Sequence, residues 1–451
     1  MKLHQALQVS RGDVLSFIGA GGKTSALFRL AHELTDMGWR VVGTTTTRVA
    51  ADELRSAPLT LKLGQVASTV QITDSLSRHH FVFLYDHIQD HKVIGISPKM
   101  VRLLLDRVGS DVLLVEADGS RRLPFKAPYP HEPVIPSETT HVVLVAGMDV
   151  VGKPLDSDHV YNPEAMIQRY GYPPEAEIPW PWVASVLRDE ELGLLNVPPR
   201  LPVSVLLNKT PPEGISRRRA QLIASLLLRS WRIHAVLIGA MQSSADPVYE
   251  VRRPVAAIVL AAGMATRMGK PKVLLPWGKE SVLEAIIRRL HLARLDEVVV
   301  VTGHWADEVS RVASRLDAKV VHNPFYESGE MLSSLQAGLR ALDDRFAACL
   351  VVLGDQPQIQ GRVIADVLTA YAEGRGSIVA PSYQMRRGHP IVIDRQHWPE
   401  LLALPSGASP RDVINAHADQ IAYVNVNTDS VVTDIDTPED YRAALRRAGL
   451  V

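Results

Sequence analysis

The chain has 451 residues, 46% apolar and 22% charged, a globular composition that excludes wholesale disorder and collagen-like repeats. Lys plus Arg and Asp plus Glu both total 49, so the formal net charge is zero and neither nucleic acid nor an anionic membrane is favoured as a partner. A lone cysteine, Cys349, rules out an intrachain disulfide and a cysteine-built zinc site, no apolar run reaches the ~18 residues of a membrane span, and a reduced, cytoplasmic protein of two or three domains is expected.

Short β-branched runs alternate with helix-length segments along the whole chain. The first, 14–18, leads into Gly19-Ala-Gly21-Gly22-Lys23-Thr24. Gly-Lys-Thr is how a phosphate-binding loop ends: backbone amides cradle phosphate, the lysine reaches its outer oxygens and the threonine hydroxyl can hold Mg²⁺. The spacing departs from the standard pattern, and Thr24 stands where a dinucleotide-binding loop needs its last glycine. Gly19, Gly21, Gly22, Lys23 and Thr24 are candidate nucleotide contacts, against the alternative of a plain strand-to-helix turn.

The run 41–45 ends in four threonines, 44–47. The run 112–115 ends in Glu116-Ala-Asp118-Gly119, a carboxylate pair placed like the acids that face a phosphate loop. The alternatives are a β-rich strand tip and a turn beginning at Asp118-Gly119. The run 203–207 ends in Asn208-Lys209-Thr210-Pro211, which is similar to the guanine-reading N-K-x-D except that Pro211 replaces the aspartate. A polar, proline-flanked stretch, 242–254, then precedes a fresh strand, so the domains are expected at 1–245 and 254–451.

The second half opens with a strand at 255–260 and the loop LAAGMATRMGKPK, 260–272. Its two glycines allow close backbone approach, and Arg267 and Lys272 add positive charge. Further strands are expected at 298–301 and 350–353. The second of these puts Asp355 of Gly354-Asp355-Gln356-Pro357 at the carboxyl end of a buried strand, where open α/β sheets bind ligands. Ser281, Ser409 and Thr437 have the surroundings of helix caps. Asp434-Ile-Asp436, just before Thr437, points two carboxylates to one side of an extended segment, and oxygen-rich sites of this kind suit Mg²⁺ carrying a polyphosphate. Parallel strands apolar on both faces imply helices on each side, so the fold class is two α/β domains: a P-loop-like parallel sheet domain, then a Rossmann-like domain.

Residues 254–446 resemble the molybdenum cofactor nucleotidyltransferases, and best the cytidylyltransferase branch. The resemblance rests on LAAGMATRMGKPK, Asn323-Pro-Phe-Tyr-Glu-Ser-Gly leading into Ser333-Ser334-Leu-Gln-Ala-Gly, GDQP, Arg387-Gly388-His389-Pro390 and DIDTPEDY, in that order. It implies a Rossmann-like fold, Mg²⁺, and transfer of a nucleoside monophosphate from a triphosphate to the terminal phosphate of molybdopterin, releasing pyrophosphate. It also implies that Ala261, Ala262 and Gly263 cradle the nucleotide, that Arg267 and Lys272 stabilise the charge on the leaving pyrophosphate, and that Asp355 holds Mg²⁺ with Asp436, ahead of Asp434, as second ligand. Asn323, Ser333 and Ser334 are nucleotide contacts on this reading, against a turn residue and a helix start. His389 touches the pterin or shapes its turn. Ala262, where the guanylyl branch usually carries glycine, favours CTP.

Residues 10–240 resemble the selenium-dependent hydroxylase accessory protein family, through GAGGKT, TTTT, the late Asn-Lys and above all VEADGSRRLPFKAPYPHEPVIP, 115–136. This resemblance implies a context, the maturation of molybdenum hydroxylases, with a hydroxylase apo-enzyme as partner; the Gly-Lys-Thr loop adds an expected second nucleotide, with Glu116 and Asp118 as the domain's candidate acids. Rival expectations are a nucleotidyltransferase for GTP or another small phosphorylated acceptor, and a cofactor chaperone with regulatory nucleotide.

Overall fold

The structure, a computed structural model, describes residues 1–65, 68–90, 92–243, 246–264, 271–295, 297–328 and 330–451. They divide into two compact units, Met1–Arg252 and Arg253–Val451. Both are α/β, with mostly parallel sheets. Among the described residues no helix is long and apolar enough to cross a membrane.

The first unit is built on a nine-stranded sheet. Its strands are β1 (Val14–Gly19), β2 (Val41–Thr45), β3 (Thr60–Lys62), β4 (Phe81–Tyr85), β5 (Val112–Glu116), β6 (His141–Gly147), β7 (Val203–Asn208), β8 (Ile233–Gly239) and β9 (Val248–Arg252), in the spatial order β9-β8-β7-β6-β1-β5-β2-β4-β3. All pairings are parallel except β8 with β9. All six residues of β1 are buried because the strand is covered on both faces. Val14 and Ile18 enter one apolar cluster and Leu15 and Phe17 the other, the alternation a pleated strand imposes. The 242–254 stretch, expected as a boundary, contributes β9, whose Val248 and Val251 are buried in the first unit's core.

After β1 the chain turns through residues 20–22 into helix α1 (Lys23–Asp36) and crosses to β2 on one side. After β6 it continues to β7 on the other side. The carboxyl ends of β1 and β6 therefore form a topological switch point, where open sheets leave a crevice.

The second unit has strands β10 (Val255–Ala261), β11 (Glu297–Thr302), β12 (Lys319–His322), β13 (Ala348–Leu353), β14 (Ile378–Tyr383), β15 (Arg386–Arg387), β16 (Ile391–Asp394) and β17 (Ile421–Asn425). Their order is β12-β11-β10-β13-β16-β14-β15, with β17 added to β14. The strands β12, β11, β10 and β13 run parallel, and β16 is antiparallel to β13. Helices α2 (Val282–Leu292), α3 (Glu330–Arg340) and α4 (Pro410–Ala416) lie between these strands in sequence, and α5 (Pro438–Arg447) follows the last of them. The capping expected at α2, α4 and α5 is present: Ser281 accepts from the amide of Glu284, Ser409 from that of Arg411, and Thr437 from that of Asp440. Each such cap contributes about 1 kcal/mol. The Thr437 cap matters to the site, because it fixes the helix start directly after Asp436.

Candidate active site and phosphate-loop region

The carboxyl ends of β10 and β13 open into a cleft of about 540 Å³. One wall is the backbone of Ala261, Ala262 and Gly263. Asp355, Asp434, Asp436 and Lys272 stand at its charged end. Gly354 makes this convergence possible: a Cβ there would lie 2.7 Å from the carbonyl oxygen of Leu260, so only glycine lets the tips of β10 and β13 meet. The amide of Gly354 donates to that same oxygen at 3.0 Å.

Lys272 joins the acids. Its Nζ lies 2.6 Å from Oδ1 of Asp436 and 3.8 Å from Oδ2 of Asp355. Burial, and next the neighbouring Asp434 carboxylate, push the Asp355 carboxyl up to about 6, against the pull of Lys272. Among the described residues Lys272 thus pairs with Asp355 and Asp436, and Asp434 adds a third carboxylate beside them. Gln356, 2% exposed, donates through Nε2 to Oδ1 of Asp434 at 2.6 Å, and the amide of Ile435 donates to the carbonyl oxygen of Asp355 at 3.2 Å. These bonds hold the 434–436 segment against Asp355 despite the repulsion. The three aspartates do not close into a cage: among the described residues no group of three His, Cys, Asp or Glu side chains is set to hold a metal ion.

Ser334 lines the cleft, but Asn323 and Ser333 do not. Asn323 is buried, and its Nδ2 donates to the hydroxyls of Ser333 (2.8 Å) and Ser334 (3.0 Å) while its Oδ1 accepts from the amide of Phe325. Its polar atoms are engaged in tying the end of β12 to α3, so it sits behind the wall. His389 does not line the cleft either. Its amide donates to Val431, and burial, with Arg411 and Arg387, pushes its imidazole down to about 4. It shapes the turn into β16 as a neutral ring. Arg267, expected beside the leaving group, lies outside the described residues. Trp305, Val309, Tyr326 and Met331 form an apolar and aromatic wall that sequence reasoning missed. Tyr326 belongs to the Asn323-Pro-Phe-Tyr motif, but Trp305 carries no signal beyond its place after β11.

In the first unit, Lys23, Glu116 and Asp118 come together as expected. Nζ of Lys23 lies 3.2 Å from Asp118 and 3.8 Å from Glu116, and donates to the carbonyl of Gly19 (2.7 Å) and to Oγ of Ser120 (3.1 Å). The Thr24 hydroxyl donates to Oε2 of Glu116 at 2.8 Å. Lys126 extends the network, 3.1 Å from Asp118 and 2.9 Å from Glu132. The loop differs from a ready phosphate cradle in one respect. The amides of Gly19, Ala20 and Gly21 are already donated, to Oδ2 of Asp118, the carbonyl of Val145 and the carbonyl of Leu123. Gly21, at φ +80, presses so close to β6 that a Cβ would lie 2.2 Å from the amide nitrogen of Gly147.

The four threonines are largely structural: the hydroxyls of Thr44, Thr45 and Thr46 donate to the carbonyls of Leu84, Glu116 and Val134. Asn208 is structural too. It is buried, with Nδ2 on the carbonyl of Gly21 (2.8 Å) and Oδ1 accepting from the amide of Met241 (2.9 Å). Asn208→Ala leaves both backbone groups buried without partners, so the first unit should lose about 1–3 kcal/mol in urea unfolding.

Two α/β units, each with acids at the carboxyl edge of its sheet, define a two-module protein whose second module has a nucleotidyltransferase fold. Residues 15–164 match the YqeC protein family and residues 257–421 the MobA-like NTP transferase domain. The Escherichia coli (strain K12) protein YqeC is 33% identical over 42% of this chain and 72% of its own length. Molybdenum cofactor cytidylyltransferase of the same organism is 27% identical over 42% of this chain and 95% of its own. Nicotine blue oxidoreductase of Paenarthrobacter nicotinovorans is 32% identical over 41% of this chain and 93% of its own. The chain belongs to the YqeC family through its first unit and to the MobA-like NTP transferases through its second.

Proposed function

We propose that the second unit is a molybdenum cofactor cytidylyltransferase: it transfers CMP from CTP to the terminal phosphate of molybdopterin and releases pyrophosphate. The observation that supports this most is the meeting of Lys272, Asp355 and Asp436 beside the Ala261–Gly263 backbone in one cleft. An oxygen of the acceptor phosphate bonds to the α-phosphorus of CTP, and the bond from that phosphorus to the pyrophosphate oxygen breaks with its electron pair going to the leaving group. Both reactants are anions, so the site's task is to neutralise charge and hold the two in line. The backbone at 261–263 holds the nucleotide, with Ser334 a contact beyond it. Lys272 leaves the carboxylates and pairs with the developing pyrophosphate charge, as does Arg267. No residue need take a proton, because the acceptor phosphate is already ionised at neutral pH.

Transferases of this family usually need a divalent metal. The residues suit Mg²⁺: hard carboxylate oxygens outnumber the ammonium of Lys272 among the described residues. Asp355 and Asp436 would hold it, with Asp434 kept beside them by Gln356, and when bound it supplies charge neutralisation of the triphosphate.

The choice of base rests on Ala262, 6% exposed on the cleft wall. Ala262→Gly opens room beside the base and should shift the CTP-to-GTP ratio of kcat/KM toward GTP by about 10- to 100-fold, since a methyl-sized change is worth ~1–3 kcal/mol. The deciding experiment incubates the chain with molybdenum-loaded molybdopterin, Mg²⁺ and CTP or GTP, and weighs the nucleotide product. The 32% identical oxidoreductase supports a second reading, redox chemistry in the same cleft. Absence of pyrophosphate with every triphosphate and acceptor, together with acceptor-dependent oxidation of a nicotinamide cofactor, would favour it. The first unit serves as a nucleotide-binding partner in maturation of a molybdenum hydroxylase, with Lys23, Thr24, Glu116 and Asp118 at its site.

A further inference from the structure

The aromatic wall of the second unit's cleft is assembled around Gly303, which follows β11. A Cβ there would overlap the carbonyl oxygen of Ala262 and lie 2.8 Å from Cβ of Tyr326, so only glycine lets the Ala262 loop and Tyr326 close on this strand end. Trp305 comes two residues later, where the chain enters the helix Ala306–Ser314, and its carbonyl accepts from the amide of Val309 at 3.0 Å. The backbone that carries the indole is therefore held in place. His304 meets the Trp305 ring edge-on at 5.1 Å and lies 5.9 Å from the Tyr326 ring, so the three rings form one cluster that adjoins Ala262 through Gly303.

The wall carries a donor that the fold does not use. Nε1 of Trp305 is buried and has no hydrogen-bond acceptor among the described residues, although the side chain lines the cleft. A buried donor without a partner is uncommon and destabilising, and it calls for a group that completes it. Met264 and Met331 line the same cleft and are each 42% exposed. Methionine side chains are unbranched and adaptable, so this wall can yield to a flat ligand and bring an acceptor to the indole N–H.

We propose that Trp305 reads the base of the triphosphate: its ring packs against the base beside Ala262, and its Nε1–H donates to the ring nitrogen N3 of cytosine. Cytosine presents an unprotonated N3 between its O2 acceptor and its N4 donor, whereas N3 of uracil carries a hydrogen. A donor at this position accepts the first pyrimidine and rejects the second, because two donors would face each other with no acceptor between them. Ala262 then limits the size of the base and Trp305 sets its edge. The adjoining Ala262, on the nucleotide's wall, favours the base over the pterin as the ring that Trp305 meets. The proposal rests on the transferase reading of this cleft and names the residue that chooses the base.

The test measures binding to the full chain by equilibrium dialysis, with Mg²⁺ and no acceptor, using CTP, UTP and 3-deaza-CTP, in which a C–H replaces N3. The parent should bind CTP about tenfold more tightly than either of the others, the effect of one hydrogen bond made or lost. Trp305→Phe keeps a ring on the wall and removes the donor, so its CTP affinity should fall about tenfold and the three ligands should bind alike. Trp305→Ala also removes the stacking surface and should lose about a further tenfold. The comparison of CTP with 3-deaza-CTP uses the parent alone, so it decides the matter even where a variant fails to fold. Equal binding of those two by the parent overturns the proposal, and so does a preference for CTP that survives in Trp305→Phe. A parent that binds no CTP overturns it as well. Pyrophosphate release with molybdopterin is measured separately: CTP bound through Trp305 but never cleaved would sink the transferase reading alone.

Discussion

Asp355→Asn should cut nucleotidyl transfer by about 10²–10³-fold, the usual loss when one electrostatic contributor to a polyanionic transition state is removed. It should also stabilise the metal-free protein at pH 8. Burial and Asp434 raise the Asp355 carboxyl to about 6 from an ordinary 3.8. The folded state therefore holds that proton more tightly than the unfolded state, and folding stability falls as pH rises from about 4 to about 6. Above that window the ionised carboxylate carries its full penalty. Asparagine does not ionise, so the variant's advantage is present at pH 8 and gone near pH 4, where the parent is also neutral at this position. Unfolding in urea with EDTA at the two pH values, alongside pyrophosphate release with CTP, reads both halves. A variant that is less stable at pH 8 would mean that the Lys272 contact outweighs the crowding of the acids.

Lys126→Met should cost the first unit about 3–5 kcal/mol, the scale of a buried ion pair broken from one side. Its ammonium is almost wholly buried, between Asp118, Glu132 and the carbonyl of Gly119, with the Tyr161 ring 4.6 Å away. Methionine fills the volume but leaves the Glu132 carboxylate facing a thioether. Asp118 retains Lys23 and the amide of Gly19, so Glu132 is the group left most exposed to the loss. The double variant K126M/E132Q should recover part of the stability, because an uncharged amide replaces the stranded carboxylate. Exchange of the β5 and β6 amides as a function of urea follows this unit without interference from the other. If the single variant is neutral, Lys126 is not a structural cation, and its chamber is open to a ligand instead.

Both predictions concern residues whose types were legible in the sequence and whose energetics were not. GDQP after an apolar strand already places a carboxylate at a ligand-binding sheet edge, since that follows from alternation and strand polarity. That Asp434 would crowd it, 79 residues on, depends on Gln356 and on the bond from Ile435 to Asp355, which no local pattern encodes. Asn323 and Ser333 show the opposite case. They are polar residues in the right motif, yet they bond to each other behind the cleft wall, because a buried amide must satisfy its own donors. In the first unit GAGGKT was readable as a strand, a glycine turn and a helix. Where its amides point was decided by β6, whose Val145 and Gly147 lie against the loop.

The sequence by itself determined the two α/β units, the parallel strands with their buried faces, the helix starts at Ser281, Ser409 and Thr437, and the glycine loops that open each unit. These follow from short-range physics: side-chain alternation, capping and the conformational reach of glycine. Only the tertiary structure decided which charges are shared. Lys272 stands among three aspartates drawn from two distant segments, and Lys126 lies buried between Asp118 and Glu132. The physical reason is that ion pairing depends on distance and burial, and both are set by strands that meet across the sheet rather than along the chain.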